Sequence, residues 1–140
     1  MTVRLLTSEE IQTEYPGLFT KVFGKPPTLP LPPIVAITKG KEGFLSGYWH
    51  GSQTFYIQYC GVMPEYQGKD FGTGYLKEGL GYIVENLNAK FFVTYTPNWN
   101  TPAMKVLINC GFYVFGIRQT TAGELLVEWL KIAGDKDGTT

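Results

Sequence analysis

The chain lacks any excess of charge. Twelve lysines and arginines balance twelve aspartates and glutamates in 140 residues, so the net charge is zero. Proteins that hold a nucleic-acid backbone carry a basic surplus, and bulk electrostatics here gives no support for that class. No apolar run approaches the roughly 20 residues that cross a bilayer as a helix. The opening MTVRLLTSEE turns acidic too early for a secretory leader. Cysteine is scarce: Cys60 and Cys110 lie inside apolar segments, which predicts two small buried hydrophobes rather than a disulfide. There is one histidine, His50, and no His, Cys, Asp or Glu grouping at metal-ligand spacing, so no metal is expected. These absences fit a cytoplasmic protein without membrane partners.

What is present suits one globular domain over 1–140, with 44% hydrophobic and 17% charged residues. Thr7-Ser8-Glu9-Glu10 has capping-box spacing, so a short helix should follow and stop near Pro16. GLFTKVFG at 17–24 reads as a second short helix, and KPPTLPLPP at 25–33 as a stiff connection. Residues 1–33 thus form an atypical helical and proline-rich start. Runs at 34–38, 44–50 and 54–62 are separated by turn formers and predict an antiparallel meander. Leu76, Leu80, Ile83, Val84 and Leu87 mark one face of a helix over 73–87, which should bury Leu76, Leu80 and Val84. A strand at 90–96, a helix at 103–109 ended by Gly111, and strands at 112–118 and 124–132 follow, then a loose tail at 134–140. This is an α+β order on a mixed, mostly antiparallel sheet.

Between the third strand and the long helix stands YQGKDFGTGYL, residues 66–76. Glycine-rich turns that open helices bind anions, because the first amides have no partner within the helix and its dipole favours negative charge. Two stretches together carry a resemblance. One is Val62-Met63-Pro64 followed by Gln67-Gly68-Lys69-Asp70-Phe71-Gly72-Thr73; the other is Asn100, Ala103, Leu107, Asn109 and Gly111-Phe112. In this order they resemble the GNAT superfamily of acyl-CoA-dependent N-acyltransferases, and the likeness covers 34–131.

The resemblance implies a splayed parallel pair formed by 54–62 and 90–96. It further implies acetyl-CoA as co-substrate, with its pyrophosphate on Gln67, Gly68, Lys69, Asp70, Phe71, Gly72 and Thr73. Val62, Asn100 and Ala103 would hold the pantetheine arm. Asp70 departs from the family, which has a glycine there, and its carboxylate should weaken binding without forbidding it. Gly61 sits where a bulge or a close approach to a ligand is expected. The strand carboxylate and the helix tyrosine of many members are absent, with Leu107 at the tyrosine position. Tyr56, Gln58 and Tyr59 are then the candidates to hold a water and move a proton. Tyr48, Trp49, Tyr56 and Trp99 are candidate pocket walls. The expected function is transfer of an acetyl group to an amine of a small-molecule or protein acceptor. The alternative is a GNAT-fold binding or structural protein that has lost catalysis, for example a phage-associated one.

Overall fold

A computed structural model describes residues 3–27, 35–39, 42–66 and 71–134. The strands are β1 (Val3–Leu5), β2 (Val35–Lys39), β3 (Gly43–Trp49), β4 (Thr54–Val62), β5 (Phe91–Pro97), β6 (Tyr113–Gln119) and β7 (Leu125–Ile132). The helices are α1 (Ser8–Thr13), α2 (Tyr15–Phe23), α3 (Phe71–Leu87) and α4 (Thr101–Asn109). Hydrogen bonding orders the strands β1-β2-β3-β4-β5-β7-β6. β4 and β5 run parallel, and their register extends from Thr54↔Phe91 to Tyr56↔Val93. The pairs β1–β2, β2–β3, β5–β7 and β6–β7 are antiparallel. This is the expected α+β sheet. β1 was not anticipated: VRL is too short for a pattern and becomes a strand by pairing with β2.

The chain divides into two compact units, Met1–Tyr48 with Ile57–Tyr82, and Trp49–Tyr56 with Ile83–Thr140. In the first, the capping box forms as expected. The Glu10 N–H donates to Thr7 Oγ1 at 3.2 Å, and the Thr7 N–H donates to Glu10 Oε1 at 3.0 Å. Arg4 grips the same carboxylate with two bonds of 2.9 and 2.7 Å. α1 stops at Thr13, close to the expected end before Pro16. Pro16 itself sits in the first turn of α2, where no amide donor is needed. α2 buries Tyr15 and Phe19 in a core with Leu6 and Phe44. Within it the Tyr15 and Ser46 hydroxyls lie 2.9 Å apart. α3 buries Leu76 and Leu80 as expected, with Tyr75 and Ile83. Val84 is only half-buried, because the buried stripe turns toward Ile83 instead.

In the second unit, Phe55 packs against Trp49 at 5.3 Å and Phe92 at 6.4 Å between ring centroids. The Trp129 indole N–H donates to Thr96 Oγ1 at 2.9 Å, which satisfies a buried polar pair. α4 ends in a Schellman turn. Gly111 takes φ +90°, its N–H donates to Ile108 O, and Phe112 N–H donates to Leu107 O, both at 3.0 Å. The proline-rich 28–33 and the tail 135–140 lie outside the described residues.

Candidate acyl-transfer site

β4 carries the three residues expected to move a proton, and a β-bulge decides where each goes. His50 N–H donates to Thr54 O, and Met63 N–H donates to Glu42 O, both at 2.8 Å. From Glu42 to His50 is eight steps, while from Thr54 to Met63 is nine, so β4 holds one extra residue. Alternation puts Phe44, Ser46 and Tyr48 of β3 on one face. Gln58 hydrogen-bonds the Tyr48 hydroxyl. Its neighbour Tyr59 packs edge-on against Phe19 at 4.8 Å and meets Phe23 at 5.4 Å, and both of those rings also meet Phe44. Two successive residues therefore address the same face, and the extra residue lies at Gln58–Tyr59.

The bulge separates the expected trio. Tyr59 is taken up in the aromatic packing of α2. Gln58 is tied to Tyr48, whose hydroxyl is pushed up by burial and by the neighbouring Tyr59, with the Gln58 bond opposing. Tyr48 thus stays protonated at neutral pH. Cys60, one place past the bulge, is exposed rather than buried, whereas Cys110 is buried as expected. Neither forms a disulfide.

Tyr56 enters a different group. Its ring lies 5.1 Å from the His50 ring and meets Tyr95 edge-on at 5.5 Å. The register Tyr56↔Val93 puts Tyr56, Val93 and Tyr95 on one face. Across the next pair Tyr95 faces Glu128, and Glu128 faces Gly116. A side chain at Gly116 would touch the Glu128 carboxylate at 3.4 Å. The Arg118 guanidinium sits 5.5 Å from the centre of the Tyr95 ring. Tyr56, Tyr95, Glu128 and Arg118 thus share one face of the second unit. Sequence reasoning found Tyr56 but missed the other three. The one available signal was the alternation of 91–97, which puts Tyr95 on the face of Val93. Of the other expected pocket walls, Trp49 packs on Phe55 and Trp99 is 72% exposed.

Gln67, Gly68, Lys69 and Asp70 lie outside the described residues, as does the side chain of Phe71. The helix they precede runs 17 residues from Phe71, and its first turn holds no acidic residue. Gly72 and Thr73 are half-buried in that turn. A Cβ at Gly74 would meet nothing within 4 Å, so its surroundings are open. Asn100 caps α4, with Oδ1 accepting from the Ala103 N–H at 3.3 Å. Leu107, at the family's tyrosine position, is buried in the core. Val62 is half-buried at the end of β4.

Gly61 serves packing within the protein. A Cβ there would come within 2.8 Å of the Val22 side chain and 3.1 Å of Phe44, and one at Gly43 would collide with the Gly61 carbonyl oxygen. The close approach at Gly61 is made by α2 and β3. Among the described residues no group of three His, Cys, Asp or Glu side chains is placed to hold a metal ion, and no helix is long and apolar enough to cross a membrane.

Residues 35–112, more than half of the chain, match the acetyltransferase (GNAT) family. No curated protein sequence matches the chain. Among solved structures, the ribosomal-protein-S18-alanine N-acetyltransferase from Escherichia coli superposes with a TM-score of 0.71 at 17% identity, covering 99% of this chain and 97% of that one. The spermidine N-acetyltransferase from Vibrio cholerae, in complex with CoA and spermine, gives 0.69 at 14% identity over 94% of each chain. The ribosomal-protein-S5-alanine acetyltransferase from Vibrio fischeri gives 0.60 at 18%, over 73% of this chain and 62% of that one. These structures share the fold, and the matching segment contains both motifs. The chain belongs to the acetyltransferase (GNAT) family.

Proposed function

We propose that the protein transfers the acetyl group of acetyl-CoA to the nitrogen of a small cationic amine. The carrying observation is the GNAT match over 35–112, supported by a long helix from Phe71 whose first turn is free of carboxylates. The N–H groups of a helix's first turn, with the helix dipole behind them, suit a pyrophosphate. The amides of Gln67 to Thr73 would hold it, aided by the charge of Lys69. Val62 would bond the pantetheine arm through its backbone. Asn100 uses its oxygen as a helix cap, so its amide nitrogen, with the Ala103 backbone, is assigned to the arm. An acyl-CoA-dependent enzyme works beside the acyl-CoA pool, and the proposed location is the cytoplasm.

The chemistry needs a base, an oxyanion donor and a proton for the leaving group. The acceptor ammonium gives up one proton to the base, its nitrogen attacks the thioester carbonyl carbon, the adduct loses a second N–H proton as the C–S bond breaks, and the CoA thiolate takes a proton. The family's strand carboxylate is missing, and Glu128 supplies one on the face that carries Tyr56 and Tyr95. Aromatic rings beside a carboxylate favour a cationic amine. Glu128 is assigned as base, directly or through one water, and Tyr56 as proton donor to the thiolate.

The second reading, a binding protein without catalysis, is favoured by Leu107, which offers no proton where many members have a tyrosine. Release of CoA from acetyl-CoA, measured over a panel of small amines and short peptides, separates the two. The proposal expects turnover on a cationic small amine and a loss of about 10²-fold or more in kcat for Glu128→Gln. Acetyl-CoA binding without turnover on any amine would favour the second reading.

A further inference from the structure

We propose that Arg118 selects the acceptor, and that the acceptor is a short amino acid, an amine that also carries a carboxylate. This rests on the acyl-transfer reading above and adds what the unreactive end of the acceptor must be. β6 reads YVFGIRQ and carries one charge, Arg118. Arg118 faces Leu126 of β7, and its guanidinium reaches across β7 to lie 5.5 Å from the centre of the Tyr95 ring on β5. Tyr95 in turn faces Glu128. A cation and a carboxylate thus converge on one ring from the same face. Among the described residues they form no ion pair with each other or with any other side chain.

Gly116 keeps the space beside the carboxylate open. It faces Glu128, and a Cβ there would touch the Glu128 carboxylate at 3.4 Å. Arg118 follows two residues later on the same face, a step of about 6.8 Å along the strand. A ligand lying over Gly116 therefore meets the carboxylate at one end and the guanidinium at the other.

The charges of the site decide which ligand that is. The acceptor ammonium donates to Glu128, and the acceptor carboxylate accepts from the guanidinium, whose planar fork matches two carboxylate oxygens. The two site charges sum to zero, as do those of a zwitterion. A diamine instead sets a second ammonium against Arg118, and like charges repel. A plain alkylamine leaves the guanidinium without an anion. Arg118 thus reads the end of the acceptor that does not react, while Glu128 takes the end that does.

The test is an NMR titration of the full chain, with and without CoA, using 4-aminobutanoate, butylamine and 1,4-diaminobutane. These share a chain length and differ in the far group alone. The wild type should bind 4-aminobutanoate at least about tenfold more tightly than either amine. Arg118→Glu should reverse that order and favour the diamine, an exchange that a poorly folded variant cannot produce. Equal affinities in the wild type, tightest binding of the diamine, or no binding of any of the three at tens of millimolar overturns the proposal. So does a preference that survives Arg118→Glu. Release of CoA from acetyl-CoA with each compound keeps this result apart from the acyl-transfer reading. Turnover that ignores the carboxylate overturns the proposal and leaves that reading standing. A carboxylate preference in binding without turnover supports the amino-acid site and counts against acyl transfer.

Discussion

Tyr56 and Tyr95 meet edge-on with ring centroids 5.5 Å apart, from two parallel neighbouring strands, and Glu128 faces Tyr95 from the next. Tyr56→Phe keeps the ring and removes the hydroxyl. Turnover should fall about 10²-fold with little change in KM or Tm if that hydroxyl donates to the thiolate. Steady-state kinetics decides it. A variant as fast as the wild type would reduce Tyr56 to a packing residue.

The buried Tyr15–Ser46 pair predicts a stability effect remote from the chemistry. The two hydroxyls satisfy each other at 2.9 Å, with Tyr15 2% exposed and Ser46 fully buried. Tyr15→Phe strands the serine hydroxyl and should cost about 1–3 kcal/mol in urea denaturation. Adding Ser46→Ala should recover part of that loss, because no orphaned polar atom remains.

Acid should loosen the N-terminal helix. The Arg4 guanidinium, with the Thr7 amide, holds the Glu10 carboxyl at about 2, below its ordinary 4.5. A carboxyl depressed in the folded state stabilises above its unfolded pKa, and that stability is lost as pH falls through the folded value. The contribution should be complete above about 4.5 and fade toward 2. Melting curves of the wild type against Glu10→Gln should converge across that window. A constant difference down to pH 2 would contradict the assignment.

Asp70 immediately precedes the first residue of α3. A carboxylate at that chain position opposes a phosphate at the helix N-terminus, and screening should leave about 1 kcal/mol of that repulsion. Asp70→Gly should therefore tighten acetyl-CoA about fivefold at low salt, and less at high salt. Weaker binding by the variant would mean that the loop depends on the aspartate.

Elements with strong local signals were legible in the sequence. The capping box at Thr7 and Glu10 and the Gly111 terminator each rest on residues within four positions of one another, and the bounds of β4 on the turn formers beside it. What was missed is set by distant partners. β1 exists through β2, and the extra residue in β4 is announced by no local pattern. Glu128 and Arg118 reach the Tyr95 face only through the pairings of β5, β7 and β6. The motif pointed to the co-substrate, while the candidate base lay more than 50 residues downstream of the motif's first glycine.

Acetyl-CoA binding tests the central claim most directly. Calorimetry should give saturable one-to-one binding, and acetyl-CoA at about 100 times Kd should raise Tm by about 8 °C, since ligation of the folded state alone adds about 2.7 kcal/mol. Gly72→Trp fills the approach to the helix N-terminus and should abolish both signals while the protein stays folded. No heat and no shift for the wild type at millimolar acetyl-CoA would contradict the account, and so would binding that survives Gly72→Trp unchanged.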